Sequence, residues 1–184
     1  MTLYETLKNN LFIMAGPCVI ESKDICFEIA ERAKAVAEQY GFTYIFKASF
    51  DKANRTAASS FRGTGLENGL EILKAVKDKF NVPIVTDIHE SCQAEPAGKV
   101  CDIIQIPAFL CRQTDLLTAA AKTKKIVNIK KAQFLSGLDM KYPLEKVYSA
   151  DNNQVMLTER GTMFGYGNLV VDFRSLIDMH PVSV

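Results

Sequence analysis

Residues Lys47 to Arg55, KASFDKANR, place three cations and two small polar side chains within nine positions. They follow directly on the apolar run Phe42-Thr43-Tyr44-Ile45-Phe46, which reads as a buried strand. A buried strand that empties into Lys47, Ser49, Lys52, Asn54 and Arg55 delivers positive charge and hydrogen-bond donors to one end of a sheet. Ammonium and guanidinium groups fixed in this way bind carboxylates and phosphates. The expected chemistry is recognition of a substrate carrying at least one such group. A solvated loop with ordinary surface charge is the plainer alternative. Two further cations weigh against it, because Lys130 and Arg160 stand at the ends of other apolar runs.

Other residues offer weaker chemistry. Asp87-Ile88-His89-Glu90 contains a possible acid/base pair, although strand-end polar groups also bond to backbone. Cys18, after Gly16-Pro17, is either a metal ligand or a small buried apolar residue. Gly63-Thr64-Gly65 and the run from Gly161 to Gly167 fit neither the dinucleotide fingerprint nor the phosphate loop, and read as turns. The chain has no HExxH, no Cys/His cluster and no nucleophile elbow.

The elements that must position these groups alternate. Leu11 to Ala15 is an apolar strand broken by Gly16-Pro17. Ser22 caps a helix with Ile25, Ile29, Ala33, Val36 and Tyr40 on its apolar face, and Gly41 ends it. A strand from Tyr44 to Ala48 precedes a helix from Leu66 to Phe80, with Leu66, Leu70, Leu73, Val76 and Phe80 on one face. Strands follow at Pro83–Asp87, Asp102–Ile106, Ile126–Lys130 and Gln154–Thr158. Between and after them, helices are expected near Gln93–Gly98, Thr114–Lys122, Leu138–Tyr148 and Asn168–Met179.

Six βα units in succession specify the α/β class with a parallel, helix-covered sheet. An open doubly wound sheet gathers its site at one switch point, whereas a (β/α) TIM-type barrel uses all its strand ends. Here every strand ends in useful groups: Cys18, then Lys47 and Ser49, Asp87 and His89, Gln105, Lys130 and Lys131, and Glu159 and Arg160. The barrel is therefore the expected architecture. Strand starts lie about 29 residues apart, and eight units need roughly 240 residues. The 184-residue chain holds about six of the eight as a single, incomplete domain.

Composition narrows the function classes. A net charge of +1 supplies no global field for nucleic acid or an anionic membrane. No apolar run approaches the length of a membrane span, and the first ten residues lack a signal-peptide pattern. Five cysteines without a CxxC pair suit reduced thiols, so a cytoplasmic protein is expected.

The motifs AGPCVIES (15–22), FKASFDKANR (46–55), TDIHE (86–90), DIIQIPAFLCRQTDLL (102–117), VNIKK (127–131) and TERGTMFGYGNLVVDFRSL (158–176) are together highly specific. Over residues 11–179 the chain resembles the 3-deoxy-D-manno-octulosonate-8-phosphate synthases, also called 2-dehydro-3-deoxyphosphooctonate aldolases. The resemblance implies a (β/α) barrel, usually a homotetramer, that condenses phosphoenolpyruvate with arabinose 5-phosphate and water for lipopolysaccharide biosynthesis. It implies catalytic positions at Lys47, Lys52, Asp87, His89 and Lys130. It implies substrate contacts at Ser49, Asn54, Arg55, Gln105, Phe109, Arg112 and Arg160, with Arg112 offered to a neighbouring subunit's sugar phosphate. Cys18 after Gly-Pro resembles the class that uses a divalent metal ion; no organic cofactor, nucleic acid or membrane partner is implied.

The chain departs from that pattern in two places. Thr56-Ala57-Ala58 replaces a serine-rich run, and residues 180–184 are expected to form a tail outside the family pattern where a seventh strand would follow. The remaining metal ligands of the family belong to those later strands. The expectation is thus a C-terminally truncated enzyme. The alternatives are an inactive fragment that binds phosphorylated ligands or pairs with another chain, and a related phosphoenolpyruvate–sugar phosphate synthase.

Overall fold

The strands of the main sheet are short and mainly apolar, with polar groups chiefly toward their ends, and each is joined to the next by a helix. In sheet order β1 (Phe12–Ala15), β2 (Thr43–Lys47), β3 (Ile84–Asp87), β4 (Ile103–Ile106), β5 (Ile126–Lys130) and β6 (Val155–Thr158) run consecutively, so each lies beside its predecessor in the chain. A doubly wound sheet reverses its order at a switch point; an unbroken progression is that of a (β/α) barrel, here in six steps. The computed structural model describes residues 1–180. Residues 181–184 of the expected tail lie outside the described residues. The chain divides into two units, Met1–Asp87 with Lys99–Ile103, and Ile88–Gly98 with the chain from Ile104 on.

The first unit opens with α1 (Leu3–Asn9), a helix that sequence periodicity does not signal. Its start is fixed by a capping box, in which Thr2 Oγ1 accepts from Glu5 N and the Glu5 carboxylate accepts from Thr2 N. β1 (Phe12–Ala15), β2 (Thr43–Lys47) and β3 (Ile84–Asp87) follow, with α2 (Lys23–Gln39) and α3 (Leu66–Phe80) between them. β1 pairs parallel with β2 from Phe12↔Thr43 to Ala15↔Phe46, and β2 with β3 at Phe46↔Ile84 and Lys47↔Val85. Ile45, Phe46, Leu73, Val76, Ile84 and Val85 are fully buried. Each such side chain contributes about 1.5–3 kcal/mol.

α2 corrects the expected stripe. Ser22 caps it as expected, its Oγ accepting from Ile25 N at 3.2 Å. Gly41 ends it at φ +72°, with Phe42 N bonded back to Ala37 O. The buried face, however, is Cys26, Ala30 and Ala37, while Ile25, Val36 and Tyr40 are exposed. α2 packs on β2 and α3 through small side chains, which allow close backbone approach. Periodicity follows the larger residues and so selects another stripe.

The second unit holds a 3₁₀ turn (Ser91–Gln93) leading into α4 (Ala94–Val100), then β4 (Ile103–Ile106), α5 (Thr114–Lys122), β5 (Ile126–Lys130), α6 (Lys141–Tyr148) and β6 (Val155–Thr158). The ends of α4 and β4, residues 99–103, belong to the first unit. β5 pairs parallel with β6 from Val127↔Val155 to Lys130↔Thr158. The helix expected over Asn168–Met179 is not continuous. Residues 162–170 form an antiparallel hairpin, β7 (Thr162–Phe164) with β8 (Asn168–Val170), and only α7 (Arg174–Met179) is helical. Gly165, at φ +71°, makes the turn, and Thr162, Val170 and Val171 are β-branched residues that favour strand over helix. Before α7 the Asp172 carboxylate takes both Arg174 N and its guanidinium, which holds that acid down at about 2. Among the described residues no helix is long and apolar enough to cross a membrane.

Burial raises the Cys26 thiol from 9.0 to about 11. The folded state therefore keeps its proton to higher pH than the unfolded state. This contribution is complete below pH 9 and is lost as pH rises toward 11. Urea denaturation is expected to show a fall approaching ~1.4 kcal/mol per pH unit in that window, and Cys26→Ala is expected to remove that component.

Candidate active site

In the first unit the end of β2 carries a buried polar cluster. β2 pairing continues past its last residue, because Ile20 N donates to Ser49 O at 3.0 Å and Ala48 N to Val85 O at 3.4 Å. Thr86 Oγ1 also donates to Ala48 O at 2.8 Å. These bonds fix the positions from which Lys47 and Ser49 project. Lys47 Nζ donates to Ser49 Oγ at 2.9 Å and lies 3.5 Å from Asp87 Oδ1. Ser49 Oγ in turn donates to Asp87 Oδ1. Ser49 is fully buried and Asp87 nearly so, so the ammonium has its counter-charge where solvent screening is weak. Gly16 is required beside it, since a Cβ there would stand 2.1 Å from Lys47 O.

The loop after the cluster is closed by Arg62, a residue that no motif marks. Its Nε and Nη2 take Asp51 Oδ1 and Oδ2 at 2.9 and 2.5 Å, and its carbonyl accepts from Lys52 N at 2.6 Å. The loop returns through Gly63, at φ +128°, where a Cβ would stand 2.3 Å from Phe50 O. This clamp leaves Lys52 half-buried and presents Asn54 and Arg55 to solvent. The structure thus brings Lys47, Ser49 and Asp87 together and holds Asn54 and Arg55 apart from them on the open loop.

In the second unit Gln105, Asn128 and Thr158 form a row across β4, β5 and β6. Asn128 Nδ2 donates to Gln105 Oε1 at 3.1 Å, and Thr158 Oγ1 donates to Asn128 Oδ1 at 2.7 Å. Lys130 ends β5 half-buried, and Arg160 follows β6 with Nη1 buried and without an acceptor among the described residues. His89 is half-buried after β3, its backbone N bonded to Gln93 Oε1 at 2.8 Å. Phe109 and Arg112 are exposed, and Arg112 O accepts from Lys146 Nζ at 2.7 Å.

Lys131, a strand-end cation with no substrate or catalytic role assigned, organises the chain on both sides of Arg160. Its buried ammonium lies 3.1 Å from Ala132 O, 3.0 Å from Leu135 O, 3.3 Å from Gly161 O and 3.1 Å from Thr162 Oγ1. The Glu159 carboxylate lies 3.7 Å away and is itself held by Gly161 N and Ser175 Oγ, each at 2.5 Å. A buried ammonium is tolerated only with such a set of acceptors.

Cys18 is exposed and offers one thiol donor. Among the described residues no group of three His, Cys, Asp or Glu side chains gathers that could hold a metal ion. The described residues by themselves do not make a metal site.

Apolar parallel strands in chain order, with anion-binding side chains at their ends, are matched by a known family. The family model described as the DAHP synthetase I family covers residues 7–182. The chain belongs to that family. Relatives named 2-dehydro-3-deoxyphosphooctonate aldolase share this sequence at high identity. The one from Campylobacter jejuni strain RM1221 is 57% identical over 94% of this chain and 68% of its own length. That from Fusobacterium nucleatum is 55% identical over 96% of this chain and 63% of its own. That from Koribacter versatilis is 58% identical over 90% and 60%. The DAHP synthetase I match thus takes in both units and every candidate residue.

Two outcomes follow from these contacts. Gly16→Ala is expected to lower stability by ~1–3 kcal/mol, read as a reduced denaturation midpoint, because the new Cβ displaces the Lys47 backbone. Lys131→Met is expected to cost ~3–5 kcal/mol by leaving Glu159 buried and uncompensated, and adding Glu159→Gln should restore part of that loss.

Proposed function

We propose that this chain condenses phosphoenolpyruvate with D-arabinose 5-phosphate and water, giving 3-deoxy-D-manno-octulosonate 8-phosphate and inorganic phosphate. The product belongs to lipopolysaccharide biosynthesis. The observation that carries the reading is the Lys47–Ser49–Asp87 cluster at the head of the KANR loop, in a chain 57% identical to a 2-dehydro-3-deoxyphosphooctonate aldolase. Both substrates are anions, and each unit holds fixed cations at its strand ends.

In the reaction the enol carbon of phosphoenolpyruvate attacks the sugar aldehyde, forming the new C–C bond. The aldehyde oxygen takes a proton, water adds to the cationic carbon that results, and the C–O bond to phosphate breaks. In the first unit Lys47, Ser49 and Lys52 suit the carboxylate and phosphate of phosphoenolpyruvate, and Asn54 and Arg55 suit the sugar phosphate. In the second unit Gln105, Lys130 and Arg160 have the same anion-binding chemistry, Arg160 in bidentate fashion. Ammonium groups preorganised in a site of low water content stabilise the developing alkoxide. Asp87, hydrogen-bonded to Ser49, and His89 are the groups nearest in type to acid/base work.

The proposal includes assembly as a homotetramer, in which the exposed Arg112 and Phe109 meet a neighbouring subunit's sugar phosphate. It also places the chemistry in the cytoplasm, where phosphorylated intermediates of this kind are made. A divalent cation at Cys18 would need ligands beyond those the described residues gather.

Incubation of the purified chain with phosphoenolpyruvate and arabinose 5-phosphate is expected to release inorganic phosphate. Erythrose 4-phosphate is expected to be a poor replacement. Lys47→Ala is expected to lower turnover at least ~100-fold, as loss of one preorganised donor does. Binding of both substrates without phosphate release would favour a ligand-binding chain instead.

A further inference from the structure

Gln105 is 5% exposed and uses only half of its amide. Its Oε1 accepts from Asn128 Nδ2, and Asn128 Oδ1 accepts from Thr158 Oγ1. Among the described residues no acceptor takes the two protons of Gln105 Nε2. That Nε2 is not a buried unpartnered atom, so its two protons reach solvent and are available to an acceptor oxygen.

The polarity of this row follows from its hydrogen bonds. An amide can present either an oxygen or an NH₂ group by turning over, and the two faces recognise opposite partners. In the arrangement the structure holds, Thr158 donates its proton to Asn128 Oδ1 and Asn128 turns its NH₂ toward Gln105. Gln105 must then turn its oxygen toward Asn128 and its NH₂ away. Loss of the Thr158 hydroxyl removes one of the two bonds that hold this arrangement and lets both amides reverse. Gln105 would then offer an oxygen, which repels a carboxylate or phosphate.

We propose that Thr158 and Asn128 are positioning residues that fix Gln105 as a two-proton donor, and so set its preference for an anionic oxygen acceptor. The acceptor is a carboxylate or phosphate oxygen of the ligand. This inference rests on the functional reading above in taking that ligand to be phosphoenolpyruvate. It concerns two side chains that need not touch the ligand. Asn128 is 1% exposed, and Thr158 lies one strand further on.

The test uses the whole chain with phosphoenolpyruvate as the probe. Thr158→Val keeps the shape and removes the proton. It is expected to raise the phosphoenolpyruvate dissociation constant, measured by calorimetry, about tenfold, equivalent to about 1.4 kcal/mol. The KM for arabinose 5-phosphate should stay within about twofold, because a hydrogen bond lost at one subsite acts on that subsite alone. Thr158→Ser restores the proton and should restore the affinity. An unchanged constant in Thr158→Val, an equal rise for both substrates, or a Ser variant no better than Val would overturn the proposal. A second measurement needs no variant. The side-chain NH₂ resonances of Gln105, followed by ¹⁵N NMR, should shift on addition of phosphoenolpyruvate. Binding without such a shift overturns the positioning role alone, whereas absence of any binding overturns the functional reading together with it.

Discussion

A polar side chain on a strand covered from solvent has no water to turn to, and the inner strands of this chain are built under that constraint. β3 and β4 are buried at every position, and β5 at all but its last. Each polar group that enters such a strand must find its partner within the protein. Lys47 therefore meets Ser49 and Asp87, Asn128 meets Gln105 and Thr158, and Lys131 meets Glu159 with a shell of carbonyls. The same low dielectric that makes these partners obligatory strengthens any ionic contact made there.

Those three groupings divide the labour. Lys47 and Ser49 carry reactive donors, held by backbone bonds that run past the end of β2. Lys131 and Glu159 are committed to structure; they tie residues 131–135 to residues 159–162, which bracket Arg160. The Gln105 row does something between the two, passing an orientation from a hydroxyl to an amide. In each unit a donor suited to substrate is thus backed by polar groups that set its direction. The glycines at 16 and 63 belong to the same arrangement, since backbone carbonyls occupy the space where their side chains would be.

Much of this is legible in the residues themselves. The strand runs, the α3 and α5 helices and the anion-binding character of Lys47 to Arg55 follow from apolar period and side-chain type. α3 spans Leu66–Phe80 and α5 spans Thr114–Lys122, as periodicity and end signals require. The order of the strands follows as well, because short βα connections place consecutive strands side by side. Where local rules compete, the reading fails. Residues 168–179 carry an apolar pattern compatible with a helix, yet the turn at Gly165 brings β8 back onto β7 and takes their backbone groups into a hairpin. On α2 the stripe of larger residues loses to a stripe of small ones, since distance of approach decides which face is buried.

The sequence by itself determined the chemistry on offer: fixed cations and amides at the ends of apolar parallel strands, suited to small phosphorylated anions. It did so because strand period and residue type are local properties. Only the tertiary structure decided which of those groups are committed to one another. That Ser49 donates to Asp87, that Arg62 rather than Arg55 closes the loop on Asp51, and that Thr158 reaches Asn128 across a strand boundary depend on register and packing. Register joins residues about 30 positions apart in the chain, and no local pattern encodes which proton such a pair will share.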